Sequence, residues 1–205
     1  MDRAVLLWVV AHRTGWGTAS ARGLMAVGTQ TLPLAAAGLV FLILLAAFRS
    51  WRPGAAAVLA VVVAVAVTEV AKTLVHRPRP PAALALVRVH GFSMPSTVAA
   101  LTAAAATVLI LAASRTGRRA SRALAVALAA VVVVVGAALI YLGAHWASDV
   151  VTGWVLGVAL GGASARLLLG SPSENGRSST RAVRGRAAST AMAYETGLLT
   201  RGESD

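Results

Sequence analysis

Apolar residues run almost unbroken along five stretches of this chain, at about residues 32–48, 53–71, 96–113, 123–143 and 150–169, and polar residues gather between them. Each stretch is long enough to cross the hydrocarbon core of a bilayer as helix, which takes roughly 17–25 residues. The alternating pattern of a barrel strand is missing, and backbone groups in lipid must be paired internally, so the stretches predict helices. Valine runs such as Val131–Val135 favour strands in water, but inside a span of this length the bilayer decides. The first thirty residues differ, because Ala4–Ala11 and Gly23–Val27 are apolar yet too short to span. With Trp8 and Trp16 suited to the headgroup level, they predict one or two helices lying in the interface. A cleaved leader is not expected there, since no long apolar region precedes a convincing cleavage site. From Ser171 the periodicity stops, and the Ser-, Gly- and Arg-rich tail predicts disorder. The expected architecture is an all-α integral membrane bundle, with interfacial helices over 1–30, a five-span domain over 31–170 and a basic tail over 171–205.

Composition supports this and adds an orientation. At 58% hydrophobic and 13% charged residues the chain is too apolar for an ordinary soluble domain. The net charge of +12 raises the possibility of nucleic acid as a partner, but the basic residues are dispersed among loops beside the spans, and topology explains them better. Assigning alternate loops to one side collects Arg49, Arg52, Arg115, Arg118, Arg119, Arg122, Arg166 and the arginines of the tail. The smaller set, Arg3, Arg13, Arg22, Lys72, Arg77, Arg79 and Arg88, falls on the other side. The positive-inside rule makes the first set cytoplasmic. The absence of cysteine excludes disulfides, thiol catalysis and thiolate metal sites.

Three segments at the non-cytoplasmic ends of the spans carry candidate chemistry. Lys72 is followed by Thr-Leu-Val-His-Arg-Pro and then Arg79-Pro80, and the prolines stiffen the exit from the helix. An ammonium and a guanidinium at this spacing can converge on one phosphate, or simply anchor a helix end. Glu69 lies three residues before Lys72 as its helical neighbour. Pro95-Ser96 opens the third span, where free amides favour an anion, although the same pair is a common cap. His145 precedes the last span with Asp149 four residues on, so that a carboxylate can keep one ring nitrogen protonated and leave the other as a nucleophile. Taken singly, His145 and Asp149 also read as polar boundary residues. Gly153, Gly157 and Gly161 form a small-residue stripe suited to close helix packing, within the chain or between copies.

In order and spacing these segments resemble the type 2 phosphatidate phosphatase superfamily, which includes bacterial undecaprenyl diphosphate phosphatases and shares its helical core with vanadium haloperoxidases. The family pattern is Lys, six residues, Arg-Pro; then Pro-Ser-Gly-His; then Ser-Arg, five residues, His, three residues, Asp. Lys72, Arg79 and Pro80 match the first part, Pro95 and Ser96 half of the second, and His145 and Asp149 the end of the third. The likeness extends over about residues 15–170. It implies a bacterial plasma-membrane enzyme with an extracytoplasmic site. His145 would be the nucleophile, Asp149 its orienting group, and Lys72, Arg79 and Ser96 the phosphate binders. The implied substrate is a lipid phosphate or diphosphate in the bilayer. No cofactor or metal is implied, because no carboxylate cluster faces the site.

Two departures bear on activity. Val98 stands where the family has its proton-donating His, and Leu139 where it has a second Arg. Losing a positioned acid costs roughly 10²–10⁴-fold and losing one preorganised donor roughly 10²–10³-fold. A phosphate departing from a diphosphate needs a proton less than an alkoxide does, because its second pKa is about 6. Surviving activity is therefore expected to favour lipid diphosphates, with His90 in the same outer loop as a candidate substitute acid. The alternative is a non-catalytic relative that binds lipid phosphate headgroups or serves as a membrane partner. A small transporter is disfavoured, since the middles of the spans carry almost no ionisable groups.

Overall fold

The computed structural model describes residues 1–29, 51–115 and 118–170. Six α-helices occur among them: α1 Asp2–Ala11, α2 Gly15–Thr29, α3 Arg52–Val75, α4 Thr97–Ala113, α5 Arg118–Tyr141 and α6 Ala147–Leu169, with a 3₁₀ turn at Ala82–Leu84. Four of the expected spans are thus present as helices, and the described residues contain no strand. The stretch expected at 32–48 and the tail at 171–205 lie outside the described residues. Three helices, α3, α5 from Ser121 and α6, are long and apolar enough to cross a membrane. At about 1.5 Å per residue, the 17 residues of α4 make a shorter apolar helix of about 25 Å. Among the described residues the protein is all-helical, with helices suited to an integral membrane protein.

Lipid tails are as apolar as leucine, so helices in a bilayer associate through close packing of small residues and not through burial of large ones. The core follows that rule. Ala56, Ala57, Ala60 and Ala64 of α3 meet Ala100, Ala104 and Val108 of α4 and Ala165 of α6. Large apolar residues point outward instead, among them Val58 and Val62 of α3, Val131 and Val134 of α5, and Val155 and Val158 of α6.

The glycine stripe of α6 lies against α4, within the chain. A Cβ on Gly157 would collide with the Ala100 carbonyl oxygen and the Ala103 methyl, and one on Gly153 would meet the Ser96 carbonyl. Gly157→Leu should therefore destabilise the protein by at least about 1–3 kcal/mol through overpacking. Gly162→Ala, where nothing lies near the added atom, should leave thermal unfolding in detergent unchanged.

Helix ends bring the three motif segments to one end of the bundle. α3 runs past Lys72 to Val75 and stops at His76, whose φ of 51° is left-handed. Pro78 disfavours further helix by restricting Arg77. α5 ends at Tyr141, and the chain turns at Gly143 with φ 69°. Any side chain there would strike Ala85 Cα at 2.9 Å and the Leu84 carbonyl at 3.0 Å. That turn seats the α3–α4 loop, whose Leu86 amide donates to the Leu142 carbonyl at 2.8 Å. The two N-terminal helices form as expected and close on the same end. Leu6 is buried, and the Arg13 guanidinium donates to the carbonyls of Tyr141 and Leu84.

Candidate active site

His145 lies at the centre of the assembled end and is 5% exposed. Its Nδ1 is 2.9 Å from the Ser93 carbonyl, and a carbonyl can only accept. The ring proton therefore resides on Nδ1, and Nε2 keeps its lone pair. Arg79 meets that lone pair, with Nη1 at 3.2 Å from Nε2 while also donating to the Ala144 carbonyl at 2.7 Å. Two loop carbonyls, of Gly91 and Phe92, accept from the remaining Arg79 nitrogens and aim the guanidinium. Burial lowers the pKa of Arg79, and the nearby carboxylates of Asp149 and Glu69 act in the opposite sense. A guanidinium and an imidazole lone pair in contact have the chemistry to take an anion with an electrophilic centre.

Asp149 is completely buried at the third residue of α6. One carboxylate oxygen accepts from the Trp146 amide at 2.9 Å, the reaching-back half of a capping box. The other accepts from Arg77 at 2.7 Å. The oxygen bonded to Trp146 lies 3.6 Å from His145 Nδ1, so the direct hydrogen bond that holds the ring comes from Ser93 and the carboxylate contributes charge close by.

Arg77 and Ser93 are the residues that sequence reasoning missed. Arg77 joins two carboxylates, Asp149 and Asp2, and also reaches the Ser148 hydroxyl at 2.6 Å. Asp2 in turn accepts from the Ser148 amide at 3.0 Å and hydroxyl at 2.5 Å, tying α1 to the start of α6. Ser93 donates to the Arg77 and Pro78 carbonyls, fixing the carbonyl that orients His145. The charge of Arg77 directly beside Arg79 was a usable signal for the first of these. Nothing local to Asp2 or Ser93 points to the site.

Two measurable consequences follow from the Asp2–Arg77–Asp149 chain. Arg77→Ala leaves a buried carboxylate uncompensated and should cost about 3–5 kcal/mol of stability in thermal unfolding. Burial raises the pKa of Asp2, but hydrogen bonds from Ser148 and Arg77 outweigh it and hold the carboxyl below its ordinary value. A depressed carboxyl stabilises the folded state above its unfolded pKa, roughly 3.9, and that contribution is lost as pH falls through the lower folded value. Hydrogen exchange over residues 2–11 should therefore speed up, relative to the intrinsic rate, as the medium is acidified through that range. In Asp2→Asn it should already be fast at neutral pH.

The remaining expected site residues lie differently from the simplest expectation. The Ser96 amide is not free for an anion: it donates to the Asp149 backbone carbonyl at 3.0 Å, and the Ser96 hydroxyl accepts from the Ala99 amide as the cap of α4. Lys72 does not touch Arg79 but is paired with Glu69 at 2.8 Å. The same Glu69 oxygen accepts from the Thr97 hydroxyl at 2.8 Å. Val98 is 40% exposed at the start of α4. Leu139 is buried with Ala99, Ala144 and Val150, and its carbonyl accepts from the Ala144 and His145 amides. His90 is exposed and lines a cavity of about 650 Å³ together with Arg79, Arg88 and Ala144.

Comparison with known proteins bears on the family and the fold. The family model of the PAP2 superfamily matches residues 53–171, more than half of the chain. The chain belongs to the PAP2 superfamily. Among solved structures it is similar to the transmembrane PAP2-type phosphatidylglycerolphosphate phosphatase of Bacillus subtilis, with TM-score 0.68, 23% identity, and coverage of 80% of this chain and 82% of that one. It is also similar to Aquifex aeolicus LpxE, with TM-score 0.64, 21% identity, and coverage of 80% and 94%. A search of curated proteins finds no match.

Proposed function

We propose that this protein is a membrane lipid phosphatase that removes the terminal phosphate of a lipid phosphate or diphosphate through a phosphohistidine on His145. The observation that carries the reading is the His145 ring, with Nδ1 bound to the Ser93 carbonyl and Nε2 facing the Arg79 guanidinium. Nε2 attacks phosphorus in line, the bond to the departing oxygen breaks, and water then cleaves the N–P bond. Arg79 neutralises charge spreading over the phosphoryl oxygens, and Lys72 joins it when the incoming anion draws its ammonium away from Glu69. Asp149 stabilises the cationic ring, and Arg77 holds Asp149. Ser96 contributes by fixing the start of α4 against Asp149.

The valine at position 98 favours substrates whose leaving group needs little protonation, so a polyprenyl diphosphate such as undecaprenyl diphosphate is the preferred substrate class. The distribution of basic residues supports a site on the extracytoplasmic face of a bacterial plasma membrane, with the C-terminal tail cytoplasmic. The two replaced motif residues, Val98 and Leu139, favour one other reading, a non-catalytic binder of lipid phosphate headgroups. Phosphate release from undecaprenyl diphosphate in detergent separates the two. The phosphatase reading expects release that His145→Ala removes, and the binding reading expects none from either protein.

A further inference from the structure

We propose that Glu69 is the proton donor to the leaving group in this chain, held in place by Thr97 and Lys72 at the position left without an imidazole by Val98. The proposal rests on the phosphatase reading above and adds a catalytic residue to it.

Three observations place the carboxyl. One Glu69 oxygen lies 2.8 Å from the Lys72 ammonium and 2.8 Å from the Thr97 hydroxyl. Thr97 is the residue adjoining Val98 in the first turn of α4, and its own hydroxyl accepts at 3.1 Å from Thr68, which is completely buried. Glu69 is thereby fixed across the α3–α4 seam, beside the backbone that would carry the missing acid. Glu69 and Arg79 also lie close enough for the carboxylate to act on the guanidinium, which itself contacts Nε2 of the nucleophile. His90, by contrast, makes no hydrogen bond with any described residue.

A carboxylate is an odd companion for a phosphate-binding lysine. It repels the anion the lysine is there to attract, and an ionisable group near the end of a membrane span is costly to keep. Both costs have a return if the group carries a proton. In the resting protein the ammonium of Lys72 and the hydroxyl of Thr97 both donate to the Glu69 carboxylate. When a phosphate takes over the ammonium, Glu69 loses its cation and gains an anionic neighbour, and the carboxylate takes up a proton from water at the mouth of the site. As Nε2 forms its bond to phosphorus, the electron pair of the P–O bond passes to the departing oxygen, which takes the proton from Glu69. The resulting carboxylate then accepts a proton from the water that attacks phosphorus, and the N–P electron pair returns to Nε2. The residue is protonated again when the N–P bond has broken, and it returns that proton to water as the phosphate leaves and Lys72 comes back to it.

The test compares two leaving groups on one preparation of the full chain in detergent: a dialkylglycerol phosphate, whose alkoxide needs a proton, and a lipid diphosphate, whose phosphate does not. Phosphate release that His145→Ala removes establishes the phosphatase reading in its own right. In Glu69→Gln, the ratio of ester to diphosphate turnover should fall roughly 10²-fold or more, the lower range for a positioned acid. Adding Val98→His to that variant should recover ester turnover. If Glu69→Gln lowers both substrates in equal proportion, Glu69 only arranges Lys72 and the proposal falls. It falls equally if neither substrate is affected. No release from either substrate by the unaltered protein would remove the phosphatase reading itself, and this proposal with it.

Discussion

In the Glu69→Gln background, Val98→His raises turnover of lipid phosphate monoesters by roughly 10²-fold or more, with a much smaller gain on lipid diphosphates. Position 98 is in the first turn of α4 and 40% exposed, so an imidazole enters without overpacking the alanine core. It would project from the same helix end that Ser96 caps and Thr97 links to Glu69. A positioned acid contributes roughly 10²–10⁴-fold where the leaving oxygen must be protonated. A departing phosphate, with a second pKa of about 6, gains far less. The measurement is kcat for the two substrates in one detergent system, and an equal gain on both would show that the substitution changes binding and not proton transfer. The parallel substitution Leu139→Arg offers no such gain. Leu139 is packed with Ala99, Ala144 and Val150, so a guanidinium there enters an apolar cluster, and the expected result is loss of folded protein.

His145→Ala has the largest expected effect, a fall in phosphate release to background, on the order of 10⁶-fold for removal of a nucleophile that works as part of a unit. The loss should come without unfolding. The ring bonds to the Ser93 carbonyl and meets Arg79, but Ser93 is independently held by the carbonyls of Arg77 and Pro78. Substitution at Arg77 should behave in the opposite manner, costing stability first because Asp149 is fully buried and Arg77 supplies its counter-charge. Measuring thermal unfolding and turnover on both variants separates the reacting group from the group that holds the frame.

Much of this arrangement is legible in the chain. Four of the five apolar stretches are helices where expected, and Arg79 and His145, singled out by order and spacing, lie in contact. The N-terminal helices are likewise visible from their short apolar runs. What is not legible depends on contacts between residues far apart in sequence. Asp2 reaches Arg77 and Ser148 across the whole chain, and Ser93 fixes the His145 tautomer through a backbone carbonyl, which no residue identity announces. Ser96 illustrates the converse. Its amide reads as free at a helix start, but the parallel approach of α6, made possible by Gly153, puts the Asp149 carbonyl against it. Glu69 was visible as the helical partner of Lys72, while its second bond, to Thr97, required the packing of α3 on α4.

The central claim is that His145 Nε2 becomes bonded to phosphorus. Incubating the protein with a lipid diphosphate labelled in the terminal phosphate, quenching in alkali and locating the label by peptide mapping tests it directly. An alkali-stable, acid-labile label on the peptide containing His145, absent from His145→Ala, is the predicted result. Phosphate release with no label on the protein, or a label that persists in His145→Ala, would contradict it.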